Sequence, residues 1–365
     1  MILSLFISAA LASSLPRAKS PPISGNDSSW ALQTIDQAPA LSLSTKKSQV
    51  IIAIVDTGID LNHPALRDHL WTNPGESGVD RWGHRKESNG IDDDGNGFVD
   101  DLHGWNFVNH NNDVRDLHGH GTHIAGIISQ IAPDAKIMVL KYYDPNSPTN
   151  ISVNATPKAI DYARLMKAQI VNYSSGGPGE SIVERNAIKG LAADGILFVA
   201  AAGNESQDSD QLRFFPADYG LANILSVTAI SQDQKILPSS NYGRNSVHIA
   251  APGNDIWSTL PGGTYGKMTG TSQATAFVSG VAALKLSTLP QNFSPAKLVS
   301  LLVNSGQWDE SLKEKLKTPV VINSYRALAM KSEQEDANGE VIENSKLLDN
   351  NLFLSKKAFE LLGQN

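Results

Sequence analysis

The segment Val50-Ile-Ile-Ala-Ile-Val55 constrains the fold more than any other stretch of this 365-residue chain. It is apolar at every position, so as a strand it would turn hydrophobic side chains to both faces of a sheet. Only a sheet covered on both sides can hide it. Runs of the same kind recur at Ile137–Leu140, Ile170–Tyr173, Ile196–Ala201, Ile224–Ile230 and Val247–Ala250. Between several of them lie stretches of helical period, at His120–Ile131, Thr156–Met166 and Ile182–Ala193. Strands alternating with helices require right-handed crossovers, which predicts an α/β fold: a mainly parallel central sheet with helices on both faces, three layers in all. Two more helices are predicted, one from Thr271 to about Thr288 and one from an N-cap at Ser294 through Val303.

Composition supports this and removes several alternatives. With 41% apolar and 18% charged residues, the chain has enough core-forming side chains and too little charge for disorder. It has no cysteine, which excludes a disulfide scaffold, a thiolate zinc site and a thiol nucleophile. Lys and Arg number 30 against 37 Asp and Glu, a net charge of −7, so sequence-independent binding to nucleic acid is not expected. The apolar run Ile2–Ala12 is too short for a bilayer, which takes about 20 residues. It reads as the apolar part of a signal peptide ending at Ala10-Leu11-Ala12. The expected organisation is a signal peptide over 1–12, a Ser- and Pro-rich linker over 13–29, one large domain over 30–329, and a polar, weakly amphipathic tail over 330–365. A secreted or periplasmic monomer without a membrane anchor follows.

Four short segments carry chemistry. The first strand runs into Asp56-Thr57-Gly58-Ile59-Asp60, and an acid at the carboxyl end of a parallel strand stands where open α/β sheets place their sites. His118-Gly119-His120-Gly121-Thr122-His123 opens a helix. Ala200-Ala201-Ala202-Gly203-Asn204-Glu205 ends a strand, and Gly270-Thr271-Ser272-Gln273-Ala274 opens the helix that continues to Gly280. Taken singly each has an ordinary explanation, since Asp before Gly is a common turn and Ser at a helix start a common cap. The three histidines with Asp116 would also suit zinc, which would make the chain a metallohydrolase but leave Asp56, Asn204 and Ser272 without a role.

In their order and spacing, D-T-G-I-D, G-H-G-T-H-I-A-G, A-A-A-G-N and G-T-S-x-A resemble the subtilisin-like serine peptidases, the subtilases. The resemblance runs from about Trp30 to Ala329. It implies the subtilisin-like form of the three-layer fold and a serine endopeptidase acting through an Asp-His-Ser triad. Ser272 would be the nucleophile, His120 its base and Asp56 the group that orients the imidazole. His120 is chosen because the family motif puts its histidine directly before Gly-Thr-His. Asn204 and the Ser272 backbone N–H would bind the oxyanion. Ser174, Ser175 and Gly176 would form one wall of the pocket for the residue before the scissile bond. Ala201, Ala202 and Gly203 would form the other, with Phe214-Phe215-Pro216 near its base, where a phenyl ring would limit depth. The partner implied is a protein or peptide in extended conformation, paired alongside the strand that ends at Tyr173. A relative that binds peptides without cleaving them is the alternative.

A further signal is Asp92-Asp93-Asp94-Gly95-Asn96-Gly97-Phe98-Val99-Asp100-Asp101. Asp92, Asp94, Asn96 and the Phe98 carbonyl match the opening of a D-x-D-x-N-G calcium loop, with Asp100 or Asp101 as a further carboxylate. His103 stands where an EF-hand has its bidentate Glu, so a smaller Ca²⁺ cage is expected, and no organic cofactor. Two departures from the family pattern stand out. Gln273 follows the serine where Met is usual. Residues 13–29 are too few for the usual N-terminal prodomain, so a chain without one is expected.

Overall fold

The computed structural model describes residues 29–44, 48–290 and 292–330. The expected signal peptide, most of the linker and nearly all of the tail lie outside the described residues. Nine strands form one sheet: β1 (Ile51–Asp56), β2 (Gly104–Asn106), β3 (Lys136–Lys141), β4 (Ile170–Tyr173), β5 (Leu197–Ala201), β6 (Ile224–Ile230), β7 (Ile249–Pro252), and the short β10 (Gln307–Trp308) and β11 (Val320–Val321). Their order is β10-β11-β7-β6-β5-β4-β1-β3-β2. Every pairing is parallel except that of β10 with β11. The strands β8 (Ile256–Leu260) and β9 (Thr264–Met268) form a separate antiparallel hairpin.

The all-apolar β1 explains the layering. Its Ile52 and Ile54 belong to one hydrophobic cluster while Ala53 and Val55 belong to another, as the two-residue period of a strand requires. The first cluster lies under α3 (His120–Ile131), α6 (Thr271–Leu286) and α7 (Pro295–Asn304). The second lies under α4 (Thr149–Leu165) and α5 (Ile182–Ala193). Helix α6 is buried from Thr271 to Lys285, as expected of a helix with small and apolar residues on every side. A Cβ on its Gly280 would stand 2.8 Å from the Ile131 Cβ, so the absent side chain is what lets α6 and α3 pack this closely. These two helices carry Ser272 and His120 in their first turns.

Helices α3 and α5 coincide with the expected spans, and α7 follows a Ser294 N-cap whose hydroxyl accepts from the Lys297 N–H. Helix α4 begins at Thr149, ahead of the expected Thr156, and runs through Pro157. Three short helices were not expected: α1 (Ser29–Thr34), α2 (Gln37–Leu43) and α8 (Ser324–Ala329). They hold the two ends of the described domain together. Ser324 N–H donates to the Ile35 carbonyl at 2.7 Å, Ser324 Oγ to Gln37 Oε1 at 2.8 Å, and Gln37 Nε2 to the Ile131 carbonyl at 2.7 Å.

Candidate active site

The four chemical segments converge on one end of the sheet, at the carboxyl ends of its central strands β1, β4 and β5. Asp56 is the last residue of β1 and is 3% exposed. Its carboxylate meets His120 Nδ1, at 2.8 Å through Oδ1 and 3.0 Å through Oδ2. Thr57 N–H also donates to Oδ1, at 2.7 Å. The contact needs Gly121: a Cβ there would stand 2.2 Å from the Gly58 carbonyl oxygen and 3.2 Å from Asp56 Oδ1.

The start of α3 is organised by Asp116. Its Oδ1 accepts from Thr57 Oγ1, His118 N and Gly119 N, and its Oδ2 from Thr122 N and Thr122 Oγ1, all between 2.6 and 3.0 Å. Asp116 thus ties the end of β1 to the first turn of α3, satisfying amides that a helix start leaves open. The hairpin β8–β9 clamps the same turn. Ser258 Oγ donates to the His123 carbonyl and Thr259 Oγ1 to the Thr122 carbonyl, both at 2.7 Å, while His123 Nε2 lies 2.9 Å from the Ile256 carbonyl. His123 is fully buried there, and burial, with His120 nearby, lowers its pKa to about 4. The His118 ring meets the His120 ring edge-on at 6.3 Å between centroids, and His123 is held by the hairpin. Among the described residues the one group of three potential ligands with atoms within 4.8 Å of one another contains none of them.

Burial alone would lower the pKa of His120. The adjacent Asp56 charge and hydrogen bond, with Asp116 behind, outweigh it and leave the value above the ordinary 6.5. The carboxylate therefore fixes which ring nitrogen carries the proton and stabilises the imidazolium once formed.

Ser272 lies in the first turn of α6 and is 8% exposed. Its hydroxyl donates to the Ser174 carbonyl at 3.0 Å rather than to His120, and Ser174 Oγ donates to the Ser272 carbonyl at 3.2 Å. Behind Ser174, Asn172 Nδ2 donates to the Ser174 hydroxyl at 3.0 Å, and Asn172 Oδ1 accepts from Ser279 Oγ at 2.8 Å. This links the end of β4 to α6. Asn204, exposed after β5, uses its Oδ1 to accept from Thr271 N at 2.9 Å and Thr271 Oγ1 at 3.1 Å. Its amide nitrogen is left as a donor at the start of α6. A hydroxyl, a half-buried and oriented imidazole, and two N–H donors at a positive helix end are a set able to carry out acyl transfer.

The expected calcium residues divide. Asp92 and Asp94 come together with Glu76, which local sequence reasoning missed because it lies outside the acidic run, on a separate loop earlier in the chain. Glu76 is fully buried. Its Oε1 accepts from the Asp93 N–H at 2.7 Å, and its Oε2 has no hydrogen-bond partner. Asp92 accepts the N–H groups of Gly95, Asn96 and Gly97. Asn96 turns Oδ1 to the Phe98 N–H, and its Nδ2 to Asp94 at 3.3 Å and Asp101 at 3.0 Å. Asp101 is buried, accepting also from Asn73 and Tyr162, and Asp100 accepts from Gly90 N–H.

Comparison with known proteins identifies the family of the chain. Residues 47–337 match the Subtilase family (Peptidase_S8). The chain is 30% identical over 305 residues to "Subtilisin-like protease 1" of Plasmodium berghei (strain Anka), covering 76% of this chain and 49% of that protein. It is 32% identical over 259 residues to "Intracellular serine protease" of Paenibacillus polymyxa, covering 68% and 70%. The chain spans about half the length of the first curated relatives it matches. Among solved structures, "Crystal Structure of a Lanthipeptide Protease" superposes with a TM-score of 0.66 at 23% identity, covering 83% of this chain and 94% of that one, a likeness of fold. No helix among the described residues is long and apolar enough to cross a membrane.

Proposed function

The chain belongs to the subtilase family, and from that premise we propose that it is an exported serine endopeptidase. The observation that carries the reading is the hydrogen bond between buried Asp56 and His120 Nδ1, at the same carboxyl end of the sheet as Ser272 and an Asn204 anchored to the serine's own helix. An extended peptide pairs with the main chain after β4, and a substrate N–H that takes the Ser174 carbonyl frees the Ser272 hydroxyl to turn to His120. His120 Nε2 removes the hydroxyl proton as Oγ attacks the scissile carbonyl. The oxyanion is held by Asn204 Nδ2 and the Ser272 N–H. His120 then gives the proton to the departing amine, and water repeats the sequence on the acyl ester. Export rests on the apolar run Ile2–Ala12.

Calcium has a structural place in this reading. Glu76, Asp92 and Asp94 offer hard oxygen ligands, and the buried unpartnered Glu76 Oε2 is an atom a cation would satisfy. The ion would cross-link the loop at 73–77 to the loop at 92–97.

The deciding experiment is labelling by a fluorophosphonate, with Ser272→Ala as control. Labelling of the folded protein that vanishes in the variant is expected. A folded chain that is not labelled, yet binds peptides, would instead be a silent relative.

A further inference from the structure

The peptidase reading above leaves open which side chain the site accepts before the scissile bond, and the geometry points to a small one. We infer that Phe214 fills the pocket for that residue, so that the protein cleaves after Gly, Ala or Ser and excludes aromatic and long aliphatic side chains.

The two wall segments leave the sheet from adjacent parallel strands, 174–177 from β4 and 202–204 from β5. Both are tied to the serine helix, the first by the reciprocal Ser174–Ser272 hydrogen bonds and the second by Asn204 on Thr271. A carbonyl placed over Ser272 with its oxygen at Asn204 must send the preceding side chain down between these segments. That space is occupied. A Cβ built on Gly176 would stand 2.4 Å from Phe214 Cε1, and one built on Gly203 would stand 3.0 Å from Phe214 Cδ2. One ring therefore reaches from wall to wall, and it is itself only 6% exposed.

The ring is also held in place. Phe214 N–H donates to Asp218 Oδ2 at 2.7 Å. Its neighbour Phe215 exchanges two backbone hydrogen bonds with Gly177, at 2.7 and 2.9 Å, which closes the floor onto the first wall. Swinging the ring out would break that floor. The neighbouring Phe215 ring packs at 4.9 Å on Tyr219, away from the pocket, so Phe214 alone is the plug.

The test compares peptides identical except for Ala, Leu or Phe before the scissile bond. In the wild type kcat/KM for Ala is expected to exceed that for Phe by about 100-fold, the scale on which a pocket rejects a side chain several carbons too large. Phe214→Ala should raise the Phe-to-Ala ratio by at least about 10-fold, and Phe214→Leu, which keeps more of the core, should raise it less. A wild type that prefers Phe, or variants that leave the ratio where it was, would overturn the inference. The peptidase reading is judged separately by fluorophosphonate labelling. If that fails, the affinities of Ser272→Ala for peptides ending in Ala or Phe still decide the matter, because a plugged pocket ranks Ala first and an open one does not.

Discussion

Asn204 caps α6 in this structure and is proposed to bind the oxyanion, and two substitutions tell the two roles apart. Its Oδ1 accepts from Thr271 N and Oγ1, which makes it a cap for α6 supplied from outside the helix. Its Nδ2 is the donor proposed for the oxyanion. Asn204→Ala removes both. Loss of the cap should cost about 1 kcal/mol of stability, a fall in Tm of roughly 2–4 °C for a domain of this size. Loss of the donor should cost about 2.7–4 kcal/mol of transition-state stabilisation, or 10²–10³ in kcat. That range was established on a subtilisin, so applying it here is a transfer within the family. KM should change little, because the oxyanion exists only along the reaction path. Asn204→Asp keeps the accepting oxygen and adds an anion at a helix N-terminus, which favours stability, but it offers no N–H and sets a negative charge beside the forming oxyanion. The expected result is Tm at or above wild type with kcat reduced at least as far as in Asn204→Ala. The assay is kcat and KM on one fluorogenic peptide, with calorimetric Tm for all three proteins. If Asn204→Asp recovered activity along with stability, Asn204 would act only by holding α6, and the oxyanion assignment would be wrong.

Three other outcomes are expected. Because Asp56 raises the His120 pKa above 6.5, the acid limb of the rate profile should have its midpoint above that value and shift downward in Asp56→Asn. Stability runs the other way, since the contribution of a raised histidine is complete below its unfolded pKa and fades as pH climbs through the folded one; a flat rate from pH 5 to 8 would contradict His120 as base. Removal of calcium by chelator should lower Tm, with a loss of about 2.7 kcal/mol if the ion is present at 100 times its Kd. Glu76→Gln should reduce that chelator-sensitive shift, and an unchanged shift would remove Glu76 from the site. Burial pushes the Asp218 carboxyl up to about 6 and leaves its Oδ1 without a partner. The native state then holds a proton that the unfolded chain has lost, so stability falls as pH rises between about 4 and 6, by roughly 3 kcal/mol in all. Asp218→Asn keeps an acceptor for the Phe214 N–H without that penalty, so its Tm advantage should be larger at pH 7.5 than at pH 4. An advantage equal at both would refute the argument.

What was legible in the sequence was whatever the backbone makes special within a few residues. The apolar period of β1 reports a sheet covered on both faces because each side chain in it meets a core. Asp56, His120 and Ser272 stand at a strand end and at helix starts, positions that carry their own local glycine and threonine signals. The segments proposed to be catalytic could therefore be found in pieces. What was not legible is what distant chain supplies. Glu76 comes to the acidic loop from a separate loop earlier in the chain, and the β8–β9 hairpin, too short and half-exposed to show a clean period, clamps α3 from more than a hundred residues away.

Asp116 and Phe214 are intermediate cases. From sequence Asp116 reads only as an alternative metal ligand, because nothing there distinguishes a carboxylate that gathers five hydrogen bonds at a helix start from one that awaits an ion. Phe214 was legible as a ring near the floor of a pocket, but its depth depends on two glycines, Gly176 and Gly203, contributed by different strands. The difference has a physical basis. Catalytic chemistry needs particular atoms, which fixes residue types and leaves a motif. Specificity here needs only that a volume be filled, and many side chains on many segments can fill it. A motif therefore points to the reaction, whereas the excluded substrate is visible only once the two walls and the ring are placed together.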